Sequence, residues 1–242
     1  LEDQAGGPPL NPGEMGMADD KAVAARIREN PAYAAAFTQL FGPDVLEDPK
    51  RTFRATTEAI AAFERTPKLA PFDSRYDRYL RGEEKFTDQE ELGRTLFFST
   101  QFANCSLCHD LKGSDGRLET SVFSSHKYFN IGVPANLEAR RINGVKPGYV
   151  DIGLAANPAV HGDPKQRGKF KVPSLRNVAV TGPYMHNGSM ATLEQVIEFY
   201  NRGGNHVVNN RPDLDADIQP LGLTATERSQ LVAFIRATTD ER

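Results

Sequence analysis

Apolar and polar residues recur with a helical period over several stretches of the chain. Behind the acidic pair Asp19–Asp20, apolar side chains fall at Val23, Ile27, Ala34, Phe37 and Leu40, which predicts helix from Ala18 to Phe41. Pro31 lacks a donor N–H and splits this run into two helices. Lys50 to Arg65 repeats the pattern with Phe53, Ala59, Ile60 and Phe63. After a Pro/Asp-rich stretch beginning at Pro67, the segment FDSRYDRYLRG predicts a short helix ending at Gly82. Thr87 and Glu90 form a capping-box pair in front of LGRTLFF. Thr192 to Tyr200 predicts a helix stopped by Gly203-Gly204. A last helix covers Thr224 to Thr238, with Thr224 and Glu227 as a second capping box.

Between Leu111 and Arg167 the period fails. Turn signals such as GSDG, VPANLE, NGVKPG and NPAVHGDP follow one another there. Such a stretch inside a domain requires something large and rigid to support it. No strand alternation and no internal repeat stands out. The pattern therefore predicts a mostly α fold with long loops. Leu1 to Gly16 is polar and rich in Pro and Gly, with neither helical nor strand period. It lacks the basic and apolar regions of a signal peptide. It reads as a mature N-terminus, a loop tail or the middle of a longer protein.

Composition narrows the function classes. Over 242 residues, 29 Lys and Arg face 32 Asp and Glu, a net charge of -3. That balance argues against a nucleic-acid binder, which carries a basic footprint. No apolar run approaches the roughly 20 residues of a bilayer span. The chain has two cysteines, Cys105 and Cys108, and no tryptophan. Two cysteines three positions apart cannot build a disulfide framework.

Those cysteines lie in Cys105-Ser106-Leu107-Cys108-His109, the C-x-x-C-H signature of covalent c-type haem attachment. Two thiols on one helical turn can both reach the porphyrin vinyl groups, and the adjacent His109 faces the iron as axial ligand. A zinc site would need a second ligand pair that the chain lacks. A thioredoxin-like redox pair would want a βαβ context, which is missing. A covalent haem also supplies the support that the long loops require. Its attachment outside the bacterial cytoplasm predicts a periplasmic protein. The second axial ligand stays open on chemistry alone, among Met185, His186, Met190, Tyr200 and His206. Met185 gives the His/Met pairing common in electron transfer. His126 and His161 sit in loops, as solvated or hydrogen-bonded residues.

The segment FKVPSLRNVAVTGPYMHNGSMATLEQVIEFYNRGG, with AIAAFERT and the C-x-x-C-H, resembles the bacterial di-haem cytochrome c peroxidase family, in its MauG-like branch. The resemblance runs from Leu1 to about Thr238. It implies cytochrome c-like helical haem domains with haem-wrapping loops. Residues 1–85 would be the C-terminal part of a first, peroxidatic haem domain and connecting helices, and residues 86–242 the second c-type haem domain. The single C-x-x-C-H matches the second haem, so a second covalent haem is expected from an N-terminal first-haem segment or chain. Gln4 and Glu14 match polar residues over the distal face of the first haem, with Glu14 the acid/base for peroxide. Pro8 matches a proline packed beside that haem. A carboxyl held in an apolar pocket can move the proton that O–O cleavage requires.

The resemblance also favours Tyr200 as axial ligand opposite His109, with Met185 as runner-up. The family's ordinary peroxidases carry Met where this chain has Tyr200. Thr181 and Pro183 resemble the backbone segment whose carbonyls hold a calcium ion between the haems. The implied activity is that of a haem oxidoreductase using hydrogen peroxide, with a redox protein as electron donor or oxidised substrate. The MauG-like form oxidises a protein substrate. The alternatives are an ordinary cytochrome c peroxidase fed by a small cytochrome, or a mono-haem electron carrier without catalysis. One departure stands out. The MauG-like route outward uses a Trp near the second C-x-x-C-H, where this chain has Phe98 and Phe102.

Overall fold

Helices carry most of the regular structure in the computed structural model, which describes residues 1–111, 116–204 and 214–241. The chain forms two units, Leu1–Pro71 and Phe72–Arg242.

In the first unit a 3-10 turn at Gln4–Gly6 runs into α1 (Gly7–Leu10). Helix α2 (Asp20–Glu29), α3 (Pro31–Phe41) and α4 (Pro49–Glu64) follow. Asp19 caps α2 by accepting from the Ala22 N–H at 2.9 Å. Asn30 ends α2 and caps α3, leaving Pro31 at the first helical position, where a missing N–H costs nothing. The core of this unit is Phe37, Val45 and Ala55, flanked by Ile27, Phe41 and Leu46. Thr52 is buried because its hydroxyl donates to the Val45 carbonyl at 2.7 Å. The opening residues thus contain short helical turns that their polar, proline-rich sequence conceals.

The second unit contains α5 (Arg75–Leu80), α6 (Asp88–Phe98), α7 (Leu137–Ile142), α8 (Leu193–Asn201) and α9 (Ala225–Arg236). Four of them open with a capping box: Ser74/Asp77, Thr87/Glu90, Thr192/Gln195 and Thr224/Glu227. Two short strands, β1 (Tyr128–Phe129) and β2 (Phe170–Lys171), pair antiparallel. The segment between Leu111 and Arg167 holds α7 and 3-10 turns at Leu154–Ala156, Pro158–Val160 and Pro164–Gln166, so it is less irregular than its sequence suggests.

The second unit begins earlier than residue 86. The Tyr76 N–H donates to the Ala237 carbonyl at 2.9 Å, and Ser74 pairs with Asp240 as an antiparallel bridge. These backbone bonds tie α5 to the C-terminal end of the chain, and they explain why the division falls at Pro71/Phe72.

Helices α6 and α9 make the most extensive helix contact, and α8 also packs on α9. The core between them is aromatic, with Tyr76, Phe97, Phe123 and Phe234 almost fully buried. The Tyr76 and Phe123 rings meet edge-on at 5.0 Å, and Phe97 and Phe234 at 5.2 Å. Phe123 holds a left-handed backbone, φ 54°. That conformation costs about 1–3 kcal/mol for a bulky residue. Complete burial of its ring returns about 1.5–3 kcal/mol, enough to keep it there. Among the described residues no helix is long and apolar enough to cross a membrane.

Candidate haem-attachment site

The C-x-x-C-H segment follows α6 directly. Ser99 ends that helix, and its carbonyl accepts from the Asn104 N–H at 3.1 Å, which turns the chain back. Asn104 is left-handed (φ 46°), a conformation asparagine tolerates. A 3-10 turn then spans Cys105–Leu107, and the Cys108 and His109 N–H groups both donate to the Cys105 carbonyl, at 3.3 and 2.9 Å. The Ser125 N–H fixes the far end by donating to the Cys108 carbonyl at 2.9 Å. Both cysteines are free thiols. Burial pushes Cys105 up to about 12. Burial, and then the nearby Asp215 and Asp217, push Cys108 up to about 11. Both therefore stay protonated near neutral pH.

His109 is held from the opposite wall. Its Nδ1 lies 2.8 Å from the Phe123 carbonyl oxygen. The Pro173 carbonyl faces the same ring. A carbonyl can only accept, so Nδ1 carries the proton and Nε2 keeps its lone pair. Burial pushes the imidazole pKa down, more than these carbonyls push it up, and keeps the ring neutral. A neutral imidazole with a free Nε2 is the form that binds a metal.

Tyr200 lies at the end of α8, brought there by a helix whose Leu193, Ile197 and Phe199 face the core. Its phenol is pushed well up, first by burial and then by the Cys105 and Cys108 thiols. The phenol and both thiols are therefore near enough to influence one another electrostatically. Cys105, Cys108, His109 and Tyr200 each retain some solvent-accessible surface, yet burial dominates the acidity of all four. All four side chains are thus half-buried rather than sealed in the core. Ala103, Leu111, Leu175, Val178 and Leu221 are partly buried apolar residues packed, like Cys105, on the aromatic core. Two thiols, a neutral imidazole and apolar walls are the donors and lining that a c-type haem needs. The residues fit the group.

The other ligand candidates have different surroundings. Met190 is 9% exposed, its backbone bridged to Tyr184. Met185 takes a left-handed conformation (φ 68°) in the turn between them. His186 stacks on Phe170, with ring centroids 3.5 Å apart. His126 is exposed and its Nδ1 meets the Lys171 ammonium at 3.0 Å. His161 is exposed in a left-handed turn. His206 lies outside the described residues. Among the described residues the Thr181 and Pro183 carbonyls receive none of the backbone hydrogen bonds of this turn, where Tyr184 donates its hydroxyl to Val178 at 2.9 Å. Nor does any cluster of three His, Cys, Asp or Glu side chains among the described residues offer a metal site.

In the first unit, Gln4 and Glu14 are solvent-facing and Pro8 is half-buried. Glu14 accepts from the Asn11 side-chain amide at 2.8 Å. Within this chain Glu14 is thus not enclosed in an apolar pocket. Asp77, Phe123 and Arg176, which the fold brings together, escape a reading of the sequence: Arg176 pairs with Asp77 and lies near the Phe123 ring, whose carbonyl holds His109. Asp77 stands three residues after Ser74, a capping-box spacing; nothing local marks Arg176 or Phe123.

Known proteins resemble this chain in sequence and in fold. Residues 1–85 match the family model described as di-haem cytochrome c peroxidase. The methylamine utilization protein MauG of Paracoccus denitrificans is 53% identical over 202 residues, 84% of this chain and 51% of that protein. The crystal structure of the diheme peroxidase BthA from Burkholderia thailandensis superposes with a TM-score of 0.84 at 31% identity, covering 100% of this chain and 64% of that one. A MauG-like protein associated with microbial copper homeostasis gives 0.71 at 32% identity, covering 100% of this chain and 69% of that one. The chain spans about half the length of the Paracoccus relative.

Proposed function

Because the chain belongs to the di-haem cytochrome c peroxidase family, in its MauG-like branch, we propose that its second unit holds a covalent haem c within a peroxide-driven oxidoreductase. One observation carries this reading. Cys105, Cys108 and His109 are held in one tight turn, with the His109 Nδ1 on the Phe123 carbonyl at 2.8 Å and Nε2 left free. When bound, the haem supplies one-electron redox chemistry at its iron.

Cys105 and Cys108 would anchor the porphyrin, each S–H adding across one of its vinyl groups. His109 would hold the iron through Nε2 while Nδ1–H stays on the Phe123 carbonyl. Tyr200 would offer its phenol oxygen to the iron, with Met185 as runner-up. A phenolate is a hard anionic ligand that favours the ferric state, whereas a thioether favours the ferrous. That preference suits withdrawal of electrons from a bound protein substrate over simple delivery of electrons from a small cytochrome. The Thr181 and Pro183 carbonyls offer hard oxygens to a calcium ion.

On the same reading, residues 1–85 complete a first haem domain whose haem-bearing segment lies outside this sequence, and residues 86–242 carry the second haem. Glu14 then accepts and returns a proton of hydrogen peroxide, with Gln4 hydrogen-bonding and Pro8 packing beside it. A haem attached through thioether bonds suits a periplasmic protein.

The test uses the full-length protein, purified from a host that matures c-type cytochromes. The expected outcome is two haems per protein and an optical change when peroxide meets the protein as isolated. One haem and an unchanged spectrum would reduce it to an electron carrier.

A further inference from the structure

We infer that Arg176, anchored by Asp77, is a positioning residue for His109: it fixes the loop whose carbonyl receives the His109 Nδ1 proton. The inference rests on the proposed role of His109 as a haem ligand and adds the device that orients it.

Arg176 and Asp77 have side chains only 8% and 3% exposed. The guanidinium reaches both Asp77 carboxylate oxygens, at 2.6 and 2.8 Å, in the two-pronged geometry that suits Arg. Its remaining edge is used differently. Nε donates to the Ser121 carbonyl at 2.7 Å, across 55 positions of sequence. The guanidinium also lies over the Phe72 ring at 4.5 Å and near Phe123 at 5.8 Å.

Ser121 passes this grip to the imidazole. Its hydroxyl accepts the Phe123 N–H at 3.2 Å, and the Phe123 carbonyl then receives the His109 proton at 2.8 Å. Ser124 closes the other side by donating its hydroxyl to the Val172 carbonyl at 2.7 Å. Pro173, whose carbonyl faces the same ring, follows Val172 directly. Three residues on, the Arg176 backbone N–H donates to the Ser174 hydroxyl at 3.0 Å and tightens that segment. Both acceptor carbonyls therefore lie on segments that Arg176 joins. A buried ion pair is weak evidence for stability, since apolar residues can often replace it. Here the third bond, to Ser121, gives the pair a directional task. Donation from Nδ1–H makes Nε2 a stronger donor to iron and favours the ferric state. Loosening the loop weakens that donation and raises the reduction potential.

Arg176→Lys separates positioning from pairing. A single ammonium can neutralise Asp77 but cannot present the rigid fork that also holds Ser121. The haem-loaded, full-length protein is compared with Arg176→Lys, Arg176→Ala and a core control, Val232→Ala, at a position 5% exposed on α9. Three quantities are read: the midpoint potential of the second haem, the exchange rate of the His109 Nδ1 proton by NMR of the ferric protein, and the melting temperature. Both Arg176 variants are expected to shift the ferric/ferrous ratio about tenfold toward ferrous, about 59 mV for one electron, and to speed Nδ1 exchange. Val232→Ala is expected to lower the melting temperature without either effect. If Arg176→Ala does not fold, Arg176→Lys decides alone. Unchanged potential and exchange in Arg176→Lys, or equal changes in Val232→Ala, overturn the inference while haem binding stands. A wild-type protein without covalent haem overturns both the inference and the reading beneath it.

Discussion

Gly93 on α6 rests against the main-chain carbonyl of Gln230 on α9. A methyl carbon built on Gly93 would stand 1.9 Å from that oxygen and 2.9 Å from the Phe234 Cβ. Neither obstacle is the free end of a flexible side chain. Gly93→Ala must push the two helices apart, at the upper end of the about 1–3 kcal/mol typical of overpacking or beyond it. Gly7→Ala, which meets nothing within 4 Å, is the matched control. Thermal unfolding should show a large drop for the first variant and little change for the second. Equal melting temperatures would contradict this account of the helix crossing.

Features encoded by residues close together in the chain are legible from the amino-acid order alone. The Pro31 break and the boxes at Thr87/Glu90 and Thr224/Glu227 depend on residues one turn apart, and the helices start where those boxes lie. The Arg176–Asp77 pair spans 99 positions and leaves no local trace. Strands β1 and β2 have two residues each, too short for alternation to register. Helix α7 has six residues, fewer than two turns of period. At the site, spacing alone marks Cys105, Cys108 and His109. Tyr200 is reached through family resemblance, because only the folding of α8 against α9 carries its phenol near the thiols.

Acid should weaken the haem-free chain in two stages. Burial pushes the His109 pKa down, whereas the unfolded residue takes its proton near about 6.5. Its contribution is complete above that pH and is lost as pH falls through the lower folded value. Burial alone would raise Asp77, but the Arg176 fork and the Ser74 hydrogen bonds outweigh it and hold the carboxyl below its ordinary value. That contribution is complete above about pH 4, the unfolded aspartate range, and is lost on further acidification. Urea midpoints measured from pH 8 to 3 should fall in both windows. His109→Gln should flatten the first; a curve as steep as that of the unmodified chain would refute it.

Covalent attachment should depend on both thiols separately. Cys105→Ala and Cys108→Ala should each retain the haem through one thioether, and the double variant should release it on denaturation. Intact mass after acid denaturation reads this directly. A double variant that still carries the mass of a haem would show attachment elsewhere.

Tyr200 decides which chemistry the site supports. Its phenol is pushed up by burial and by two neighbouring thiols, so it ionises there only against a strong positive charge. A ferric iron held by His109 would supply that charge, and the phenolate so formed would favour the ferric state. Tyr200→Phe should therefore leave the second haem with an open axial position and remove the phenolate-to-iron absorption band. Tyr200→Met should raise the midpoint potential, because a thioether favours the ferrous state. The haem should stay attached in both variants, since Cys105 and Cys108 are untouched. Optical spectra and redox titration of the full-length protein read all three effects. A structure with the Met185 or Met190 sulfur at bonding distance from the iron would assign the ligand differently. The second haem would then have the His/Met pairing suited to accepting electrons from a small cytochrome, and the protein would be an ordinary peroxide reductase.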